Sequence, residues 1–451
     1  MLRMVNSNHS SPLILAGASV RSLAESAVIS GIRPMCFDMF ADADLSLLLR
    51  ENGLPDLIQI SKFTDLVAAT SCIPAHIPLV WMGGLENHPE QLRTLSQLRP
   101  VCGVHADDLG GVRNPTGLQS IVTGTGCRVP AVISGVWHKR DLSTDLLWLA
   151  KPIGGAGGNG IRDHNQGTPL KSDEFLQQKV FGNPVSAVYY HDGQATEMLG
   201  ASAQVIGEET LGGSDFAFCG NVGPIKMRVR VRTILRKIGE RLGDTGLRGV
   251  FGADFIVDGD DVWLIEVNPR ITASHEIYDF FNPKMTVLQR QLYSPTKRNN
   301  QECQSDTRAE QTGSVPPIAV PPCQQEVCRA GNAAQFTLDD CPQMLARLVI
   351  YLKRDTNLTA SNVASLLELR RTANRLSGQS CWLADIPHPG DLPSGQPFCS
   401  VYHILEHTSS GWIVTADHSQ TVQIDAIVSQ LSRLSELDSA ATAIRYASLG
   451  E

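Results

Sequence analysis

A predicted β-hairpin near the middle of the chain constrains the fold and the chemistry more than any other stretch. Residues 251–267 contain two runs rich in β-branched and aromatic residues, separated by Asp-Gly-Asp-Asp, which is typical of two strands joined by a tight turn. Side chains alternate across a strand, so a loop over residues 259–261 places Asp254 directly opposite Glu266. Asn268 then lies one step further along the same face. The hairpin therefore predicts two adjacent carboxylates beside an amide.

Two carboxylates and an amide oxygen at one place are suited to a divalent cation. Without one, the like charges would repel and one carboxyl group would take up a proton. A surface hairpin with solvated acids is the alternative, but Glu266 lies inside the apolar run 263–267, where an unpaired charge is costly. We therefore predict that Asp254, Glu266 and Asn268 bind Mg²⁺, with phosphate oxygens completing its octahedron. Mn²⁺ could take its place.

The composition is that of an ordinary globular protein. The chain has 451 residues, of which 42% are hydrophobic and 19% charged. This length allows roughly two to four domains, each with its own core. The formal net charge of −8 argues against a mainly electrostatic binder of nucleic acid or of anionic membranes.

The cysteine pattern and the N-terminal residues predict a cytoplasmic location. Eleven cysteines are scattered without a Cys-x-x-Cys pair, so neither a disulfide framework nor a structural zinc site is expected. Such usage favours a reducing compartment. Residues 1–11 are polar and no long apolar run follows them, so we expect neither a signal peptide nor a transmembrane helix.

The first part of the chain predicts a βαβ unit. Residues 12–16 form an apolar strand that runs into Gly17, a helical pattern follows, and residues 34–37 form a second strand. A dinucleotide site would need the full Gly-x-Gly-x-x-Gly, so a plain doubly wound domain is favoured over nucleotide binding at Gly17. A later strand is followed by Gly-Gly-Leu-Glu-Asn. Ligands bind at such strand ends in open sheets, so Glu86 and Asn87 could face a substrate.

A lysine followed by a glycine-rich loop is the second chemical feature. An apolar strand over residues 146–150 leads to Lys151, and five of the seven residues from 154 to 160 are glycines. Glycines let the backbone approach an anion, and free N–H groups can hold phosphate oxygens beside the lysine charge. The order differs from a P-loop, where the lysine follows the last glycine, and a flexible linker is the alternative. Because a strand precedes the loop, we predict a flap that covers phosphate. Its glycines are Gly154, Gly155, Gly157 and Gly158.

The remaining elements are assigned from periodicity and composition. Residues 173–177 predict a short helix, and residues 229–242 predict a helix with basic residues on its outer face. Residues 294–332 are polar and rich in Gln, Ser, Pro and Thr, so they predict a linker or a disordered insertion. Further predicted strands cover residues 185–191, 195–206, 216–222, 344–352, 381–386, 399–406 and 412–416, and further helices cover residues 287–292 and 422–434.

In this order the parts resemble the ATP-grasp superfamily. A Rossmann-like domain comes first, a strand with a lysine and a glycine flap follows, and a hairpin with Asp…Glu-x-Asn comes last. The resemblance implies an α/β and α+β fold class, with a Rossmann-like N-terminal domain, a two-lobed ATP-grasp domain and a small β-rich C-terminal domain. The implied boundaries are residues 1–112 for the Rossmann-like domain, 113–293 for the ATP-grasp domain, 294–335 for the polar linker and 336–451 for the C-terminal domain.

The resemblance implies a role for each residue of a nucleotide site, with ATP and Mg²⁺ as cofactors. Lys151 is similar to the lysine that holds the ATP phosphates. Gln177 stands where the family usually has a glutamate that accepts the adenine amino group, and a glutamine oxygen can accept the same hydrogen bond. Val180 stands where a backbone group meets the adenine ring. Arg113 lies near the place where many members have an earlier phosphate-binding lysine.

The exit of the hairpin is similar to the biotin carboxylase signature Glu-x-Asn-x-Arg-Ile-Gln-Val-Glu-His. Here it reads Glu-Val-Asn-Pro-Arg-Ile-Thr-Ala-Ser-His from Glu266, so Thr272 and Ser274 replace the glutamine and the second glutamate. That glutamate serves as the base toward bicarbonate, and a serine without a partner base cannot do so. The stretch Leu-Ala-Asp-Ile-Pro at residues 383–387 also resembles the end domain of predicted ATP-grasp carboligases related to that enzyme.

The chemistry implied by the resemblance is ATP-dependent ligation. A substrate carboxylate attacks the γ-phosphate to give an acyl phosphate and ADP, and an amine or a thiol then displaces phosphate. Arg270 is placed to hold the carboxylate or the acyl phosphate through its bidentate guanidinium, so Arg270 and Lys151 are the predicted catalytic residues. Some related predicted proteins are associated with pterin-type one-carbon cofactors, which suggests a step in cofactor biosynthesis.

The expected partners are small-molecule carboxylate and amine substrates, with neither nucleic acid nor membrane, and the chain could form a homodimer. Three alternatives stay open. The first is a biotin-carboxylase-like carboxylase. The second is a nucleotide-binding protein without catalysis, since Gln177 and Ser274 depart from the usual residues. The third is a dinucleotide oxidoreductase built on Gly17.

Overall fold

The computed structural model describes residues 12–134, 146–165, 169–293, 343–372 and 381–406. The predictions for residues 1–11, for the linker at 294–335, for the strand at 412–416 and for the helix at 422–434 lie outside these residues. In the described parts of the chain, no helix is long and apolar enough to cross a membrane.

The described α-helices and β-strands are numbered in chain order. The helices are α1 (Arg21–Ile29), α2 (Ala43–Glu51), α3 (Leu66–Ala69), α4 (Pro89–Leu98), α5 (Ala106–Arg113), α6 (Leu118–Val122), α7 (Val229–Asp244), α8 (His275–Phe281), α9 (Val287–Tyr293) and α10 (Ala360–Thr372). The strands are β1 (Pro12–Gly17), β2 (Arg33–Asp38), β3 (Ile58–Gln59), β4 (Leu79–Trp81), β5 (Val101–Cys102), β6 (Val132–Ile133), β7 (Trp148–Pro152), β8 (Arg162–His164), β9 (Glu174–Gln178), β10 (Asn183–His191), β11 (Thr196–Ile206), β12 (Phe218–Gly223), β13 (Gly249–Asp258), β14 (Asp261–Asn268), β15 (Gln343–Tyr351), β16 (Thr356–Leu358), β17 (Cys381–Ala384), β18 (Gly390–Leu392) and β19 (Pro397–Glu406).

Five parallel strands form the N-terminal sheet, in the order β3-β2-β1-β4-β5. β1 is apolar and buried beyond its first residue, and it pairs with β2 on one side and with β4 on the other. A Cβ on Gly17 would lie only 3.0 Å from the Cβ of Met82, so the carboxyl ends of β1 and β4 lie side by side. The predicted βαβ unit is confirmed. Its strand ends are the edge at which open parallel sheets bind ligands.

Four antiparallel strands, in the order β6-β9-β7-β8, form a second sheet. Lys151 lies in β7 and Gln177 lies in β9, where it pairs with Leu149 of β7. The short helix predicted over residues 173–177 is wrong, because this stretch is strand β9. Five residues are too few for periodicity to separate a helix from a strand. Pairing with β6 on one side and β7 on the other decides the conformation here.

Eight antiparallel strands form the third sheet, in the order β14-β13-β10-β11-β12-β15-β19-β17. The basic helix α7 packs against it. Gly239 of α7 lies against the Tyr189 ring so closely that a Cβ would meet the ring at 2.4 Å. The Tyr189 hydroxyl donates to the Leu235 carbonyl at 3.0 Å, and its ring stacks on Phe251. Phe251 and Asp254 lie on opposite faces of β13, so Asp254 points away from α7.

The C-terminal part is β-rich, as predicted, but its long strands do not form a sheet of their own. β15 pairs with β12, and β19 and β17 follow, so they extend the sheet that contains the central hairpin. Helix α10 was not predicted. Thr359 and Asn362 bond reciprocally at its start, at 3.0 and 3.2 Å, so a capping pattern was present in the sequence.

Candidate functional site

The central hairpin has the predicted pairing of Asp254 with Glu266, but its turn is shorter than predicted and one strand contains a bulge. Asp254 lies opposite Glu266, which confirms the predicted neighbours. The predicted loop over residues 259–261 is wrong, because Asp258 pairs with Asp261 across a two-residue turn. A β-bulge between the turn and Asp254 restores the register by adding Ile265 to β14. A two-residue Gly-Asp turn is the shorter and favoured connection, and the glycine has the positive φ of 59° that it requires.

The surroundings of Asp254 favour a bound cation. Its Oδ1 accepts from Gln204 Nε2 at 3.1 Å and its Oδ2 from Asn268 Nδ2 at 2.8 Å. Burial raises the pKa of Asp254 to about 7, and the neighbouring charge of Glu266 adds to the rise. Glu266 itself is exposed, so the argument that its charge would be buried in an apolar run is wrong. Leu264 and Val267 on either side of the bulge are buried, whereas Glu266 between them is exposed.

No three His, Cys, Asp or Glu side chains lie close enough together, within the described ranges, to hold a metal by themselves. An ion at Asp254 and Glu266 would therefore need other oxygens, and phosphate groups fit that need. Asn268 is not oriented as a ligand, since its Nδ2 faces Asp254 and its Oδ1 accepts from Arg270 at 3.3 Å. Its amide would have to rotate to join the ion.

Lys151 lies close to both carboxylates. Burial lowers the pKa of Lys151, and the charges of Glu266 and Asp254 act on it in the opposite direction. The lysine projects from β7 where that strand enters the glycine loop, as predicted. A cation and a lysine ammonium beside one pair of carboxylates form an arrangement that can hold a polyphosphate.

The glycine loop after Lys151 is exposed but held at two points. The Gly154 carbonyl accepts from Asn87 Nδ2 at 3.1 Å, and the Gly157 carbonyl accepts from the Phe218 amide at 3.0 Å. Gly158 has a φ of 78°, and a Cβ on it would lie 1.7 Å from the Phe216 carbonyl oxygen. Only glycine can occupy this position. The predicted flap therefore contacts the turn after β4 at one end and the start of β12 at the other.

Gln177 lies on the same face of the second sheet as Lys151, because it pairs with Leu149, two residues before the lysine. Gln177 is buried, and its Nε2 donates to the carbonyl of Ile265, the bulge residue, at 3.2 Å. This orients its Oε1 as the remaining acceptor of the amide. Val180 is half-buried in the segment that follows β9. Their adenine contacts stay predictions.

The turn after β4 contributes residues to this site that the sequence indicated only weakly. Glu86 lies in a short 3₁₀ helix, Leu85–Asn87, and its Oε1 accepts from Arg270 Nε at 2.7 Å. Burial alone would raise the pKa of Glu86, but the Arg270 guanidinium holds it below its usual range. Arg113 donates to Asn87 Oδ1 at 2.7 Å and lies 3.7 Å from Glu86, and its contact with phosphate stays a prediction.

A buried cluster of ion pairs, which sequence reasoning missed, adjoins the hairpin exit. Arg21 at the start of α1 binds Asp385 at 2.6 Å and Glu276 at 2.9 Å. Arg347 of β15 binds the same two acids, at 2.9 and 3.2 Å. The Tyr402 hydroxyl donates to Glu276 at 2.7 Å. The cluster ties the N-terminal sheet, helix α8 and the C-terminal strands together.

The start of α1 offers little to a dinucleotide. The Val20 amide donates to Asp38 Oδ2 at 2.5 Å, and the Ala41 amide donates to Asp38 Oδ1 at 2.7 Å. The carboxylate of Asp38 therefore occupies the position that a pyrophosphate takes at such a helix N-terminus. The alternative of a dinucleotide site at Gly17 loses its main support.

Comparison with known proteins agrees with this architecture. A family model described as an ATP-grasp domain matches residues 126–274. A comparison with curated proteins gave no significant match. Pyruvate carboxylase of Rhizobium etli is similar in structure, with a TM-score of 0.60 and 14% identity over 92% of this chain, which spans 37% of that one.

Two shorter proteins match over almost their whole length. Biotin carboxylase of Campylobacter jejuni, in a complex with an ATP ligand, has a TM-score of 0.58 and 13% identity, over 91% of this chain and 90% of that one. L-amino acid ligase of Bacillus licheniformis has a TM-score of 0.58 and 12% identity, over 94% and 98%. At such identities the likeness concerns the fold. The chain therefore contains a segment, residues 126–274, that matches an ATP-grasp domain, and its overall fold is similar to the folds of these two enzymes.

Proposed function

We propose that this protein is an ATP- and Mg²⁺-dependent ligase that joins a carboxylate to an amine (or a thiol) and releases ADP and phosphate. The pairing of Asp254 with Glu266, within reach of the Lys151 charge, carries the proposal. Such a set fits a divalent cation bound to nucleotide phosphates. The ATP-grasp domain match supports the nucleotide, and the fold likeness to an L-amino acid ligase supports ligation.

Asp254 and Glu266 would hold Mg²⁺, or Mn²⁺ in its place, with Asn268 joining after rotation of its amide. The raised pKa of Asp254 fits this role, because a cation can replace the proton that the buried carboxyl group otherwise retains. When bound, Mg²⁺ neutralises charge on the phosphate oxygens. Lys151 and the N–H groups of the glycine flap would hold the same phosphates. Gln177 and Val180 would contact adenine.

The proposed reaction has two steps. A carboxylate oxygen of the substrate bonds to the γ-phosphorus of ATP while the bond to the β-phosphate oxygen breaks, which gives an acyl phosphate and ADP. The amine then attacks the acyl carbon, and phosphate leaves with the electron pair of the C–O bond while the amine loses a proton. Arg270, half-buried at the hairpin exit, would hold the carboxylate and later the acyl phosphate. The seated flap would exclude water from that intermediate.

A carboxylase of the biotin carboxylase kind is the second candidate, because the fold likeness to that enzyme covers 90% of its chain. The hairpin exit argues against it. Ser274 is buried, and its hydroxyl bonds to that of Thr272 at 2.9 Å. Two neutral hydroxyl groups replace the glutamine and glutamate of the signature, and neither can serve as a base at neutral pH.

ADP release tests the proposal directly. We would incubate the protein with Mg²⁺-ATP and pairs of carboxylates and amines, including amino acids and pterin acids, with and without bicarbonate. We expect ADP above background with at least one carboxylate–amine pair and independence from bicarbonate. Release that requires bicarbonate alone would favour the carboxylase, and no release with any pair would favour a nucleotide-binding protein without catalysis.

A matched pair of variants links that activity to the hairpin. Glu266→Gln keeps the shape of the side chain and removes one of the two charges, so we expect turnover to fall by about two or more orders of magnitude. Glu240→Gln makes the same change on the exposed face of α7 and should leave turnover unaltered. Equal turnover in the two variants would contradict the metal assignment.

The setting of the reaction is also part of the proposal. We place the protein in the cytoplasm, where ATP is available, and in cofactor biosynthesis, which rests on the resemblance to predicted carboligases. Its partners would be a small-molecule carboxylate and an amine. The homodimer stays a prediction, which the molecular mass in solution would test.

A further inference from the structure

We infer that Glu86 and Asn87 are positioning residues that make the seating of the glycine flap and the orientation of Arg270 depend on each other. This inference rests on the proposed function, because it concerns how the nucleotide end and the carboxylate end of one site communicate. The pair, together with Arg113, is called the relay below. The inference rests on contacts among four parts of the chain: the turn after β4, the end of α5, the glycine flap and the hairpin exit.

The relay is built on a rigid turn. Gly84 has a φ of 109°, and a Cβ on it would meet the Phe63 ring at 2.3 Å, so the turn packs tightly on the N-terminal core. The Gly84 amide donates to Glu86 Oε2 at 2.6 Å, which fixes the direction of that carboxylate. Met82, just before the turn, forms a β-bridge with Ile271. The turn therefore cannot move independently of the hairpin exit.

Two arginines share one oxygen of this carboxylate. Arg270 Nε donates to Glu86 Oε1 at 2.7 Å, while Arg113 Nη1 lies 3.7 Å from the same atom. Arg113 comes no closer because its Nη2 donates to Asn87 Oδ1 at 2.7 Å. The other end of the Asn87 amide donates to the Gly154 carbonyl of the flap at 3.1 Å. Both ends of that amide are thus oriented, one by an arginine and one by the flap.

The consequence is a competition that the flap controls. When the flap is seated, Gly154 fixes the Asn87 amide, and Asn87 holds the Arg113 guanidinium at 3.7 Å from Glu86, beyond hydrogen-bond distance. Arg270 then keeps its hydrogen bond to Oε1 of Glu86 and is held in one orientation. When the flap lifts, the amide can rotate, and Arg113 can move onto Glu86 and displace Arg270. By linkage, any change that frees Glu86 from Arg270 must also loosen the flap.

Hydrogen–deuterium exchange of residues 153–160 measures the seating of the flap. The probe is Mg²⁺ with a non-hydrolysable ATP analogue, at a concentration that saturates each variant, as fixed by its Kd from calorimetry. Asn87→Asp keeps the acceptor for Arg113 but places an oxygen against the Gly154 carbonyl. Asn87→Leu removes both bonds without adding charge. We expect flap exchange to rise about three- to tenfold in both variants, the value of one hydrogen bond.

Arg270→Met is the decisive variant. If Asn87 only held the flap in place, loss of Arg270 would not change the exchange of residues 153–160. We expect the same direction of change in flap exchange, measured at a temperature where circular dichroism shows the variant to be folded. Asn52→Asp is the matched control, because Asn52 also donates to a backbone carbonyl, that of Leu48 at 2.8 Å, but on the far exposed end of α2. It should behave as the wild type.

The outcomes separate this inference from the proposed function. If the analogue does not bind the wild-type protein, the proposed function is overturned and the inference with it. If the analogue binds and protects the flap, but flap exchange is unchanged in Asn87→Asp or in Arg270→Met, the inference alone is overturned. Raised exchange in Asn87→Asp, Asn87→Leu and Arg270→Met, with the control unchanged, supports it.

Discussion

Replacing Arg21 by methionine tests whether the buried ion cluster holds the N-terminal sheet to the rest of the molecule. The Arg21 side chain is 2% exposed and contacts three carboxylates: Asp385 at 2.6 Å, Glu276 at 2.9 Å and Glu25 at 3.1 Å. Methionine is similar in length and in helix propensity, so helix α1 itself loses little. The substitution removes the guanidinium charge and leaves the carboxylates of the cluster without this cation. Breaking such a pair from one side costs about 3–5 kcal/mol, a large part of the roughly 5–15 kcal/mol that stabilises a typical protein.

The loss of unfolding free energy in Arg21→Met should depend on pH, and the pKa of Asp385 determines the direction. Burial alone would raise the pKa of Asp385, but Arg21 and Arg347 hold it well below its usual range. A depressed pKa gives stability that is present above the unfolded pKa, about 3.9, and is lost as the pH falls through the folded pKa. In Arg21→Met the pKa of Asp385 should rise, because its strongest cationic partner is gone. The deficit against wild type is therefore greatest near pH 7.5 and shrinks below about pH 4.5.

Urea unfolding, followed by far-ultraviolet circular dichroism at pH 7.5 and pH 3.5 and at constant ionic strength, measures this cost. Arg93→Met is the matched control. Arg93 also contacts two acids, Glu90 at 2.8 Å and Asp107 at 3.1 Å, but on an exposed surface, where such pairs contribute little. The reasoning is refuted if the two variants shift the unfolding midpoint equally, or if the deficit of Arg21→Met grows on acidification.

Two further predictions concern the nucleotide end of the site. Lys151→Ala should weaken binding of an ATP analogue by about 10- to 100-fold, the worth of a charge-assisted contact, while the same change at the exposed Lys171 should not; calorimetry decides. Gly158→Ala should prevent the flap from seating against the Phe216 carbonyl and lower both analogue affinity and flap protection, whereas Gly157→Ala, where a Cβ meets open space, should have the smaller effect.

The parts of the site that the sequence predicted are those set by local patterns. Alternation within two adjacent strands is enough to place Asp254 opposite Glu266, and a strand that leads to Lys151 and glycines needs no long-range knowledge. The type of a short element is harder to predict. The sequence favours a helix over residues 173–177, but this stretch is strand β9 because it pairs with β6 and β7, which come earlier in the chain. Even the hairpin loop was predicted one residue too long, because a bulge at Ile265 is invisible to alternation.

The contacts that sequence reasoning missed join residues that are far apart in the chain. Arg270 and Glu86 are separated by 184 positions, and Arg21 and Asp385 by 364. No periodicity within one element reports such pairs, because they depend on how the sheets are placed against each other. Gly-Gly-Leu-Glu-Asn at the end of β4 did mark Glu86 as a candidate, but its partner could be identified only from the fold.

The way the buried acids are neutralised separates the metal site from the rest of the molecule. Glu86, Glu276 and Asp385 each contact arginine side chains, which neutralise them permanently and make them structural. Asp254 instead accepts from the neutral amides of Gln204 and Asn268, which orient the carboxylate without cancelling its charge. Desolvation and the charge of Glu266 raise the pKa of Asp254 although Lys151 lies nearby, so a cation or a proton is needed to offset the charge of this carboxylate. This contrast favours an exchangeable cation at the hairpin, and it does so independently of any resemblance to a family.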